Sequence, residues 1–75
     1  TTDEGIKRIN QNIQKLKNWT EISELIPGNL KKSKKLKKSG ISGIFSASLE
    51  LTKQGIIRIM QKKIFDKVLI KQNNE

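Results

Sequence analysis

Seventy-five residues, 33% of them hydrophobic, make a single domain, and a chain this short buries only about 60% of the surface its unfolded form exposes. With neither cysteine nor histidine, it lacks disulfides, the usual zinc, iron and copper ligand sets, and the Ser-His and Cys-His nucleophile systems. The net charge of +9, from 14 Lys and 2 Arg against 7 carboxylates, invites nucleic acid or another acidic partner.

Thr1 through Lys17 reads as one amphipathic helix. Thr1 and Glu4 stand at capping-box spacing, and Asp3 and Glu4 place negative charge where the helix dipole favours it. Ile6, Ile9, Ile13 and Leu16 form a single buried stripe, with Lys, Arg, Asn and Gln between them. Asn18 suits a left-handed stop. Trp19 is an extended entry and a core plug, followed by one or two helical turns from about Thr20 that Pro27 closes.

Gly28 to Ser39 carries six lysines in the eight residues from Lys31 to Lys38. Their mutual repulsion predicts a mobile, solvated loop, with Leu36 tacking it to the core. Lys31, Lys32, Lys34, Lys35, Lys37 and Lys38 are the candidates for contact with nucleic acid, gripping phosphates without sequence preference; the competing reading is a solvated linker with no specific role.

The second long helix is expected over 40–54, ended by Gly55. Gly43, Ser46, Glu50, Lys53 and Gln54 share one polar stripe, and apolar or small residues wrap the rest, leaving apolar surface for a partner. Ile56 to Gln61 is rich in β-branched residues and reads as a strand; Lys62 and Lys63 turn the chain, and Ile64 to Lys71 returns as a second strand. Residues 72–75 are expected to fray. The fold class is therefore α+β, mainly α with a small β-hairpin, in the winged-helix order of helix, short helix, helix and hairpin.

The seven carboxylates are flanked by polar or helical surface rather than by pocket-like apolar runs, so the chain is expected to be no enzyme, with no cofactor and no small-molecule substrate. No apolar stretch approaches the roughly 20 residues of a membrane span, and no signal-peptide pattern opens the chain, so a cytoplasmic location is expected. The opening Thr-Thr-Asp reads as a cut from a longer protein.

The stretch from Phe45 through Leu49-Glu50-Leu51 and Gly55 to Gln61, followed by Phe65-Asp66-Lys67-Val68, resembles the C-terminal winged-helix domain of the bacterial kleisins, the segregation and condensation protein A family. The upstream Trp19-Thr20-Glu21-Ile22-Ser23-Glu24-Leu25-Ile26-Pro27 is similar to the segment that precedes it in many members. The likeness covers about residues 5 to 71. Lys62, Lys63 and Ile64 depart from it, standing where the family usually carries acidic residues and a proline.

The resemblance implies a non-catalytic domain that docks on the ATPase head of a structural-maintenance-of-chromosomes (SMC) protein. There it helps close a ring used in chromosome condensation and segregation, which places it on the nucleoid. The docking residues expected are Phe65, Val68, Leu69 and Ile70 on the second strand, Ile57 and Ile59 on the first, and Glu50 on the helix. Two features of the residues agree with protein docking. The polar stripe of the second helix holds Glu50 and no arginine, which equips it poorly for reading base edges. The terminal hairpin is expected to offer an unpaired edge to a partner's sheet. Apolar surface left over on so small a chain also predicts self-association when the partner is absent.

Overall fold

The computed structural model describes residues 1–74. Helix α1 spans Thr2–Gln11, and Thr1 caps it: its hydroxyl accepts from the Glu4 amide at 3.3 Å and donates to the Glu4 carboxylate at 3.1 Å. The helix stops short of Lys17. A 3-10 turn at Ile13–Lys15 tightens the chain and drops Leu16 into the core. That tightening leaves the Leu16 and Ile13 carbonyls to accept from the Gln72 backbone amide and side-chain Nε2, each at 2.7 Å. The amphipathic stripe survives the change: Ile9 and Leu16 are fully buried, and Ile6 and Ile13 pack against them.

Strand β1 is the short pair Thr20–Glu21, and 3-10 turns follow at Ile22–Leu25 and Gly28–Lys32. The first turn is closed by a reciprocal bond set between Glu21 and Glu24. Helix α2 then runs over Lys34–Lys53, six residues earlier than the sequence pattern predicts. The lysine-rich segment is therefore ordered, not a loop. Ser33 caps α2, its Oγ accepting from the Leu36 amide at 3.1 Å, and lysine is an adequate helix former, so local propensity outweighs charge repulsion in water. Half-buried Leu30, rather than exposed Leu36, fastens the segment to the core.

Helices α1 and α2 cross at glycine. A Cβ at Gly5 would lie 2.5 Å from the Gly43 carbonyl oxygen and 2.8 Å from the Ala47 Cβ. This close approach turns Gly43 toward α1 rather than toward solvent, and it sets the rotation of α2 about its axis.

Strands β2 (Ile57–Met60) and β3 (Leu69–Gln72) complete a three-stranded antiparallel sheet in the order β1-β3-β2. Gly55, at φ 78°, makes the break between α2 and β2. Strand β3 is central, pairing Ile70 with Thr20 on one side and with Ile59 on the other. It begins five residues later than the propensity of Ile64 to Lys71 predicts, because residues 63–66 form a turn. There the Asp66 amide donates to the Lys63 carbonyl, and the Gln61 side chain donates to the Asp66 carbonyl. Gln72 and Asn73 are pinned rather than frayed, with the Asn73 amide donating to the Ile56 carbonyl at 3.1 Å. The expectation for Glu75 lies outside the described residues.

The sheet covers one end of the helical layer, and Ile57 and Ile70 point into a core shared with Ile9, Leu16, Ile22, Leu25, Ile26, Ile44, Ala47 and Leu51. Trp19 does not belong to this core. It lies half-buried on the opposite face of the sheet, where the Arg58 guanidinium and the Lys71 ammonium stand 5.6 and 5.8 Å from its ring centroid. Trp19 precedes β1 by one residue, so strand alternation aligns it with Lys71 of β3 and Arg58 of β2 on the outward side.

Candidate functional site

The residues expected to dock a partner divide three ways. Ile57 and Ile70 are 1% and 0% exposed, so no partner reaches them without unfolding the sheet. Ile59 and Val68 are partly buried against the core, and Leu69 lies half-buried on the outward sheet face opposite Met60. Glu50 is half-buried, its carboxylate accepting from the Gln54 side chain at 3.1 Å. Of the seven, Phe65 alone is free: it is 100% exposed.

Ile64, which sequence reasoning placed inside a strand, joins Phe65 at the tip of the β2–β3 loop and is 82% exposed. Phe65 also sits at φ 68°, the left-handed region that bulky side chains avoid. Neighbouring bonds hold it there: the Asp66 carboxylate accepts from the Lys67 amide at 2.8 Å, and Gln61 reaches across to the Asp66 backbone. The loop flanks a shallow depression lined by Ile22, Ile41, Phe65 and Val68.

A second apolar feature lies on the outward face of α2. Phe45 and Leu49, one turn apart, are 37% and 50% exposed, and Ile56 continues the exposed surface just past the helix. Of the expected polar stripe, Ser46, Lys53 and Gln54 are exposed, while Gly43 and Glu50 are half-buried. Packing of Gly43 against α1 rotates the helix, and Phe45 and Leu49 come to the surface in consequence. Gly5 and Gly43, one on each helix, are the sequence signal for that packing.

The hairpin keeps an open edge, but on β2 rather than on the second strand, where docking is expected. Strand β3 is bonded on both sides, so strand addition through residues 64 to 70 is blocked; the sheet's outer strands are β1 and β2.

The candidate phosphate-binding lysines lie together. Lys31 and Lys32 end the 3-10 turn Gly28–Lys32, Lys34, Lys35, Lys37 and Lys38 open α2, and all six are exposed. Among the described residues the one ion pair joins the Thr1 ammonium to Glu4 at 3.8 Å, so the run has no internal counter-charge. The first turn of α2 holds no acidic residue.

A depression of about 270 Å³ lies between α1, the 3-10 turn Gly28–Lys32 and α2, lined by Glu4, Gly5, Arg8, Leu30, Gly40 and Ile44 among others. Its two charged side chains are engaged: the Glu4 carboxylate accepts from the Thr1 hydroxyl, and Arg8 Nε donates to the Leu25 carbonyl at 2.8 Å. Among the described residues no group of three His, Cys, Asp or Glu side chains is placed to hold a metal ion. No helix is long and apolar enough to cross a membrane. No family model matches the chain, and no curated protein matches it.

Proposed function

We propose that this chain is a winged-helix docking module of the bacterial kleisin type, which seats on an SMC ATPase head through Ile64 and Phe65 at the wing tip and Phe45 and Leu49 on α2. In this reading α2 is the third helix of the motif, the 3-10 turn at Ile22–Leu25 stands for the second, and the β2–β3 loop is the wing. The sheet order β1-β3-β2, with the first strand inserted between the helices, supports the assignment. So does the resemblance of 45–61 and 65–68 to the family pattern.

The observation that carries the docking role is Phe65. A phenylalanine wholly in water, on a backbone conformation it disfavours, contributes nothing to this fold that a smaller residue would not. Buried in a partner's pocket, it gains the full transfer energy of an aromatic side chain, about 1.5–3 kcal/mol. The outward face of α2 agrees. A DNA-reading helix gathers Arg, Asn or Gln on that face; here its middle carries Phe45, Ser46 and Leu49, with Lys53 and Gln54 only at its end. The module acts without catalysis or cofactor, and its place is the nucleoid in the cytoplasm.

The test is calorimetric titration of the SMC ATPase head with Phe65→Asp and Leu49→Asp variants of the domain. Each is expected to weaken binding at least about tenfold with the melting temperature kept. Binding equal to the parent in both variants refutes the assigned surface.

A further inference from the structure

We infer that the lysine ridge from Lys31 to Lys38 binds the phosphate backbone of duplex DNA, beside the docking surface and without reading sequence. The ridge shares no residue with the apolar surface of Phe45, Leu49, Ile64 and Phe65, so the two roles stand or fall separately.

Three observations carry the inference. First, the backbone that carries the lysines is regular: the Ser33 cap and the Leu30 anchor tie the 3-10 turn before α2 and the first turn of α2 to the fold. Ordering them on a binding partner therefore costs less than ordering a free loop would. Secondly, among the described residues the ridge is uncompensated, with no carboxylate in an ion pair with any of the six and no acidic residue in the first turn of α2. The helix dipole adds positive potential at that same end, so the charges destabilise the free fold and an anion relieves them. Thirdly, the chemistry is that of backbone contact alone. Lysine is a point charge without the bidentate fork of arginine, and only Ser33 and Leu36 stand among the six. A membrane-surface helix would set a broad apolar face beside its cations, and this segment has none.

The number of phosphates contacted sets the salt dependence. Three to six contacts give a slope of log affinity against log salt of about −2.7 to −5.4. Between roughly 50 and 200 mM salt, affinity then falls about 40- to 2,000-fold. The experiment is fluorescence anisotropy of a labelled 30-base-pair duplex across that range. It compares the parent with two variants of equal net charge, Lys34→Gln/Lys35→Gln/Lys38→Gln and Lys62→Gln/Lys63→Gln/Lys67→Gln.

The first variant is expected to lose two to three units of slope and the second to keep the parent's. Two duplexes of unrelated sequence are expected to bind alike. Equal losses in the two variants would mean diffuse attraction by net charge and would overturn the assignment. Absence of duplex binding by the folded parent, a salt-independent affinity, or tighter binding to phosphatidylserine vesicles than to DNA would each overturn it too. Loss of SMC-head binding in the first variant, with duplex binding intact, would reassign the ridge to an acidic protein surface.

Discussion

Replacing Phe65 by glycine should leave the domain as stable as before or more so, an unusual outcome for deleting an aromatic side chain. The side chain is 100% exposed, so its removal leaves no cavity and breaks no packing. The backbone at φ 68° costs an L-residue about 1–2 kcal/mol relative to the right-handed region, and glycine is free of that cost. Against this, glycine gives the unfolded chain about 0.5–1 kcal/mol more conformational entropy. The balance is a gain of roughly 0 to 1.5 kcal/mol, and in a domain of this size each kcal/mol moves the melting temperature by about 4–8 °C. Thermal unfolding followed by far-UV circular dichroism measures it, with Phe65→Ala as the partner variant that removes the side chain and keeps the strain. Alanine is expected to match the parent and glycine to equal or exceed it. A drop of several degrees in both variants would show that the ring packs on the fold, and would remove the argument that it is kept for a partner.

Gly5→Ala should cost about 1–3 kcal/mol or more, read as a lowered urea midpoint, because its Cβ meets the Gly43 carbonyl. Gly43→Ala is expected to cost less than Gly5→Ala, since its Cβ would meet the Thr1 backbone carbonyl at 3.2 Å, against the 2.5 Å contact at Gly5, and helix propensity improves. Thr52→Val should be neutral or stabilising by up to about 1 kcal/mol in the same titration, because the Thr52 hydroxyl is buried with no hydrogen-bond partner. Gln72→Ala should lose about 1 kcal/mol with the bond to the Ile13 carbonyl, and hydrogen exchange should rise first at the 3-10 turn Ile13–Lys15. The exposed Phe45 and Leu49 predict self-association of the isolated domain; sedimentation should show Leu49→Lys to be more monomeric than the parent.

The parts of the fold governed by local chemistry could be read directly. Thr1 and Glu4 cap α1 as their spacing demands, the stripe of Ile6, Ile9, Ile13 and Leu16 faces the core, and Gly55 breaks α2 before β2. The parts governed by long-range pairing could not. Trp19 looked like core because aromatics usually are. Its place over Arg58 and Lys71 depends on the pairing of β1 with β3, across some 50 residues of chain. The central position of β3 depends on that same pairing, which leaves the hairpin's open edge on β2 instead of on β3.

Two misreadings had a local remedy. The lysine run was weighed as repulsion alone, although Ser33 is a good cap and lysine supports helix in the residues that follow. The turn at residues 63–66 is masked by the aliphatic and aromatic run around it, although Asp66 is a turn residue and its carboxylate does hold the Lys67 amide. The candidate site suffered most from the rotation of α2. The sequence pattern leaves apolar surface on α2 for a partner without saying that it is Phe45 and Leu49, and it counts half-buried Glu50 as wet, because the Gly5–Gly43 contact that orients the helix is tertiary.

The most direct measurement is size-exclusion co-migration of the domain with the SMC ATPase head of the same source, at about 150 mM and again at about 500 mM salt. An apolar dock through Phe65, Ile64, Phe45 and Leu49 predicts one complex that persists at both salts. A folded domain that elutes apart from the head at both would contradict the docking function.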